Sequence, residues 1–183
     1  MNKYLIRALL LTLLCNFSLL AQPLQEKPYP PVYIRKVPIG ESFTPFELTD
    51  LDGKVWSNQP YLKKPMIFIT GSWALRHDLR KWAEHISFRY LLVADILWVF
   101  NPCGTEFADH RKRAENAFKR FKTSVPVAID EHSLIGRGLK IDYDIPTITG
   151  IDRYNRLAFS YESPINEAGK NELEALIRTR LLK

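Results

Sequence analysis

Reactive side chains are few in this chain. It has two cysteines, Cys15 and Cys103, and four histidines, His77, His85, His110 and His132. Cys15 lies inside an apolar N-terminal run, whereas Cys103 stands in Asn101-Pro102-Cys103-Gly104-Thr105, just after the apolar stretch Ile96-Leu97-Trp98-Val99-Phe100. The thiolate is the nucleophile in disulfide exchange and peroxide reduction, so a working Cys103 needs a cation or a helix N-terminus beside it to ionise it near neutral pH. Arg76 is the cation available for that role. The plainer reading of Cys103 is a small loop residue beside Gly104, or a free thiol open to pairing between chains.

Metal chemistry finds little support. The histidines lack the close pairing of zinc motifs, and His77 and His85, eight residues apart, cannot chelate together from one straight helix. No metal and no cofactor is expected. The paired carboxylates Asp130-Glu131 and Asp142/Asp144 fall in turns, where short acidic side chains hold backbone N–H groups. No phosphate-cradling glycine loop and no strand-to-helix serine elbow occurs.

The elements that must position these residues follow from the hydrophobic pattern. Phe43 to Leu48 and Lys54 to Trp56 flank Asp50-Leu51-Asp52-Gly53, which predicts a small hairpin. Met66-Ile67-Phe68-Ile69, bounded by Pro65 and Gly71, suits a buried strand. Leu79, Trp82, Ala83 and Ile86 then share one helical face, with His77 or Asp78 near the helix N-terminus. The run 96–100 gives a second buried strand, and Ala108 to Lys122 a second long helix. Val125 to Ile129 adds a strand, Ser133 to Lys140 a helical turn, and Ile145 to Asp152 with Leu157 to Tyr161 an antiparallel hairpin. Glu172 to Leu182 predicts a closing amphipathic helix. The βαβ order implies parallel strands with right-handed crossovers, and Trp56, Trp73, Trp82 and Trp98 fall on core positions.

Two stretches carry a family resemblance. Gly40-Glu41-Ser42-Phe43-Thr44-Pro45-Phe46-Glu47-Leu48-Thr49-Asp50-Leu51-Asp52-Gly53-Lys54 resembles the opening signature of exported redoxins, the thioredoxin-fold group of TlpA-like thiol-disulfide oxidoreductases and AhpC/TSA peroxiredoxins. Ile145-Pro146-Thr147-Ile148-Thr149-Gly150-Ile151-Asp152-Arg153-Tyr154-Asn155-Arg156-Leu157 is similar to that family's Pro-Thr stretch ending in Ile-Asp-x-x-Gly-x-Ile. The resemblance spans residues 38 to 182 in element order. It implies an α/β, thioredoxin-like fold: a central mixed β-sheet flanked by helices, with an N-terminal β-hairpin extension. It also implies that Pro146 is the cis-proline facing the redox site, where the residues alone read it as a strand-start proline.

At the redox site itself the sequence departs from the family. TlpA-like members carry Trp-Cys-x-x-Cys where the strand meets the helix; the first thiol attacks a disulfide and the second resolves the mixed intermediate. The equivalent stretch here is Gly71-Ser72-Trp73-Ala74-Leu75-Arg76-His77-Asp78. Trp73 fits, but Ala74 and His77 occupy the two cysteine positions. A methyl group has no lone pair to attack sulfur, and imidazole cannot form a disulfide. A groove of Trp73, Ala74, His77 and Pro146 that binds a protein or peptide partner is one expectation, and a thiol oxidoreductase or peroxidase running on Cys103 the other.

The chain has 183 residues, 46% hydrophobic and 25% charged, which excludes disorder and a disulfide-stapled miniprotein. Lys3 and Arg7, the apolar run from Ala8 to Leu14, and Ala21 before Gln22 read as a secretory signal over residues 1–21, with an uncleaved anchor as the alternative. Pro23, Pro28, Pro30, Pro31 and Pro38 mark residues 22–38 as a linker, leaving 39–183 as the folded domain. A periplasmic or extracellular location follows from that signal. The formal charge of +6 falls to +4 once Lys3 and Arg7 leave with the signal. Much of the excess lies in His110-Arg111-Lys112-Arg113 and Lys119-Arg120-Phe121-Lys122, a solvated helix face. Export argues against nucleic acid as its partner, while anionic headgroups would attract such a face.

Overall fold

The computed structural model describes residues 38–59, 62–102, 111–131 and 133–183. The expected signal and nearly all of the linker lie outside these residues, as do Cys103, His110 and His132. Two strands, β1 (Glu47–Thr49) and β2 (Val55–Ser57), form a hairpin, and five more form a mixed sheet in the order β5-β4-β3-β6-β7. These are β3 (Met66–Thr70), β4 (Asp95–Phe100), β5 (Val127–Ile129), β6 (Thr147–Ile151) and β7 (Leu157–Glu162). Four helices accompany them: α1 (Arg76–Tyr90), α2 (Arg111–Phe121), α3 (Leu134–Leu139) and α4 (Glu167–Leu176).

β3 occupies the middle because all five of its residues are buried. It pairs parallel with β4 and antiparallel with β6, so Met66 faces Asp95 on one side and Ile151 on the other. A strand covered on both faces reads as a continuous apolar run rather than an alternating one. Ile67 and Ile69 turn towards a core built with Trp82, Ile86, Trp98 and Phe118; Met66 and Phe68 turn towards Phe43, Phe46, Trp56 and Ile135. At roughly 1.5–3 kcal/mol for each large apolar side chain buried, these two layers supply the main driving force for the fold.

The hairpin is pinned by a buried carboxylate. Asp50 accepts hydrogen bonds from the Asp52 and Lys54 amides at 3.0 and 2.9 Å and from Trp56 Nε1 at 2.8 Å. The Leu51 amide then donates to the Val127 carbonyl at 2.9 Å, fastening the hairpin to the β5 edge. At the β6–β7 turn, Asn155 sits at φ +61°, where the family pattern has glycine; asparagine is the side chain that tolerates this left-handed conformation best.

Element order agrees with the sequence reading, but the last helix begins earlier than Glu172. Asn166 caps it, its Oδ1 accepting from the Gly169 amide at 2.7 Å. Gly169 weakens the helical pattern in sequence, yet it is buried because a Cβ there would meet Ser163 Oγ and Tyr161 Oη at 3.1 Å. At its C-terminal end the helix passes into a π turn over Ile177–Leu181.

α1 and α4 are clamped by Glu174, whose carboxylate lies 3.2 Å from His85 Nε2, 2.8 Å from Arg89 Nε and 2.8 Å from Arg178 Nη2. Burial, and next the Arg89 guanidinium, hold the His85 imidazole below its ordinary value of 6.5, outweighing the pull of Glu174 upwards. The unfolded chain therefore binds the extra proton first, and His85 favours folding most above 6.5. Chemical denaturation followed between about pH 7 and 5 should show stability falling as the pH drops, and His85→Gln should flatten that slope.

Candidate functional site

β3 ends at Thr70, and the chain must turn sharply to start α1. Gly71 permits this because a Cβ there would press on both Leu79 methyls at 3.1 Å. Ser72 is extended, Trp73–Leu75 form a single 3₁₀ turn, and α1 starts at Arg76. Neither turn nor helix has a side-chain cap, so the amides at this corner are held by backbone and tertiary contacts.

Trp73 is the anchor of the corner. Its indole meets the rings of Phe118 at 5.0 Å, Phe121 at 5.9 Å and Phe100 at 6.1 Å, two of them edge-on. Those partners come from α2 and the end of β4, so the aromatic cluster ties two elements to one turn. Arg76 stacks its guanidinium 5.2 Å from the Trp73 ring and donates from Nη1 to the Trp73 carbonyl at 3.1 Å. His77 lies edge-on to Phe121 at 5.4 Å. Ala74 and His77 are both exposed, on the open side of the turn.

Pro146 comes to the same corner from the other side. The Ser72 amide donates to the Tyr143 carbonyl at 2.8 Å, and Thr70 pairs with Thr147 in the β3–β6 ladder, its Oγ1 donating to the Thr147 carbonyl at 3.1 Å. Pro146 is buried directly before β6, and its carbonyl accepts from the Ser163 amide at 3.1 Å. Trp73, Ala74, His77 and Pro146 thus share one end of the sheet.

Cys103 falls outside the described residues. Pro102 is the last described residue before it, at the β4 end that adjoins the corner. Among the described residues, no group of three or more His, Cys, Asp or Glu side chains stands close enough to hold a metal.

A supporting network went unread in the sequence. Asn101, at the end of β4, donates from Nδ2 to Tyr143 Oη at 2.8 Å and to Ser133 Oγ at 2.6 Å. Asp130 is buried and accepts from the amides of Leu134, Ile135 and Gly136 at 2.7, 2.9 and 3.2 Å, which makes it the cap of α3. A Cβ on Gly136 would overlap the Tyr143 hydroxyl. The carboxylate at Asp130 was legible as a turn or cap residue, and Asp142 behaves likewise, accepting from the Asp144 amide at 2.9 Å. Tyr143 carried no signal, since its role depends on residues far away in sequence.

The architecture can now be set beside known proteins. No family model matches the chain, and no curated protein sequence does. Solved structures do match. The pneumococcal exposed lipoprotein thioredoxin of Streptococcus pneumoniae superposes with a TM-score of 0.59 at 20% identity, over 74% of this chain and 99% of that one. A putative thiol:disulfide interchange protein DsbE from Chlorobium tepidum gives a TM-score of 0.63 at 16% identity, over 78% and 97%. The fold is thioredoxin-like. A peroxiredoxin-like protein from Aquifex aeolicus shares it as well, with a TM-score of 0.57 at 13% identity, over 78% of this chain and 90% of that one. The pairing of Thr70 with Thr147 sets Pro146 at the same end of the sheet as the Gly71–Trp73 turn.

Gly136→Ala tests how that corner is held. Alanine gains about 1 kcal/mol of helix propensity, but it drives the Tyr143 ring off its Asn101 bond and overpacks the site at a cost of about 1–3 kcal/mol. Net stability should fall by about 1 kcal/mol, and amide exchange at Ser72 should accelerate while amides of β3 stay protected. Unchanged exchange at Ser72 would show that Tyr143 does not secure the corner.

Proposed function

We propose that this chain is an exported thioredoxin-fold binding protein whose corner groove receives an extended segment of a protein or peptide partner, without dithiol chemistry at that corner. One observation carries the reading: the exposed positions where a thiol would act are Ala74 and His77. Disulfide exchange needs a thiolate to attack sulfur and a second thiol to displace it. Neither residue can perform either step.

What the corner keeps is a shape suited to binding. Ala74 and Ile145 are exposed, Trp73 and Leu75 are half-buried, and the rigid aromatic cluster beneath holds them in place. Apolar rims over an ordered backbone are the usual means of gripping an extended chain. Export is supported by the basic and apolar pattern of residues 1–21. That the neighbours include an exposed lipoprotein is in keeping with it.

The test pairs binding with chemistry. Fluorescence anisotropy with a labelled, cysteine-free unstructured polypeptide should show saturable binding, weakened about tenfold by Ala74→Asp, a change at an exposed position that leaves the core intact. Insulin-reduction and peroxide-consumption rates should stay at background and be indifferent to Cys103→Ser. Turnover of either substrate that disappears in Cys103→Ser would overturn the proposal in favour of an enzyme acting through that thiol.

A further inference from the structure

The end of the domain opposite the corner carries the most exposed large apolar side chains of the described residues. Phe88 is 86% and Leu92 88% exposed, with Leu91 and Val93 beside them about half exposed. Leu91 keeps helical geometry after α1, its amide donating to the Ser87 carbonyl at 3.2 Å. Phe88, Leu91 and Leu92 thus fall at helical spacing and form one apolar knob. Isolated exposed apolar residues need no explanation, but four within six positions do.

Strand register decides what surrounds the knob. Met66 faces both Asp95 and Ile151, and Ile151 faces Leu157, so the segments before β3 and β4, the β6–β7 turn and the start of β7 share this end. Lys63 and Lys64 precede β3, and Lys64 Nζ donates to the Leu92 carbonyl at 3.0 Å. The β6–β7 turn contributes Tyr154, 56% exposed, with the guanidinium groups of Arg153 and Arg156 at 5.0 and 5.1 Å from its ring. The segment after α2 also reaches this end, since Ser124 Oγ lies 3.3 Å from Ser87 Oγ, while the last helical residue, Phe121, packs on Trp73 and His77 at the corner. Of the acidic groups at this end, Asp152 pairs with Arg156 and Glu174 with Arg89 and Arg178, while Asp95 is half-buried at the start of β4 and Glu41 is exposed beside Leu157.

At the opposite end, Asp78, Glu131, Asp142, Asp144 and Glu167 lie in loops and first helical turns and Glu162 closes β7, interspersed with the cations Arg76, Lys140 and Lys170.

We propose that the Phe88–Val93 knob docks on an anionic lipid surface, with Phe88, Leu91 and Leu92 entering the headgroup region and Lys63, Lys64 and Arg153 meeting phosphates. Apolar anchors ringed by lysine, arginine and tyrosine are what the bilayer interface selects. The place where the chain enters the domain agrees: the Gly40 amide donates to the Leu157 carbonyl at 2.7 Å, so the sequence leading back to the apolar stretch before residue 21 is joined at this same end. Among the described residues no helix is long and apolar enough to cross a membrane, so the contact is peripheral. Docking this way turns the Trp73–Pro146 corner away from the lipid.

A reporter on the knob separates its contact from any affinity of the N-terminal stretch. In the full-length chain, the emission added by Phe88→Trp should be quenched by vesicles of phosphatidylglycerol with brominated acyl chains at least about threefold more than by brominated phosphatidylcholine, and salt should erase the difference. Lys63→Glu with Lys64→Glu should lower that quenching about fivefold without changing the thermal unfolding midpoint. Absence of quenching by anionic vesicles, or equal quenching by both lipids, overturns the proposal. So does a blue shift of the emission added by Phe88→Trp that appears with protein concentration alone, in step with a dimer seen by sedimentation, which would assign the knob to a second copy of the chain.

Discussion

The position of β3 constrains nearly everything else in this molecule. It is buried along its whole length, hydrogen-bonded on both sides, and parallel to one neighbour while antiparallel to the other. Its C-terminal end brings Gly71–His77 and Pro146 to one corner, and its N-terminal end brings Lys63, Lys64, Leu92 and the β6–β7 turn to the other. A slip of one residue would turn Ile67 and Ile69 to the opposite face of the sheet and destroy both poles together.

The corner is held together without sulfur. Trp73 is clamped among Phe100, Phe118 and Phe121, Ser72 is tied to Tyr143, and Pro146 is buried just before β6. None of these contacts involves sulfur. Packing and backbone hydrogen bonds hold the geometry, so substituting Ala74 and His77 at the exposed positions changes the chemistry on offer without loosening the turn. Fold likeness at 13–20% identity to thiol-disulfide and peroxiredoxin-like proteins therefore speaks to architecture, and the residues at the corner speak to activity.

Charge marks one end of that architecture. Lys63, Lys64, Arg153 and Arg156 surround the Phe88–Val93 knob, although the sequence as a whole is only moderately basic. The helix face at Lys112, Arg113, Lys119 and Arg120 was the obvious basic feature in sequence. In the fold its last residue, Phe121, packs on the corner, and the basic side chains around the knob come instead from the β-turn and pre-strand residues.

Strand and helix order, the core faces of β3, β4 and α1, and the lack of cysteine in Gly71–Asp78 were legible in the sequence because each depends on local periodicity or on residue type at a single position. Residue type alone fixed the chemistry open to Ala74 and His77. The start of the last helix was misread because Gly169 hid a cap at Asn166, and the importance of Tyr143, Asn101 and Gly136 was invisible because they meet only after the sheet has formed. The exposed knob was likewise hidden: apolar character alone does not say whether Phe88, Leu91 and Leu92 are covered, and only packing shows that α1 buries its other face. Apolar pattern determines which segments become strands and helices, whereas strand pairing decides which distant side chains share an end of the sheet, and only tertiary structure specifies that pairing.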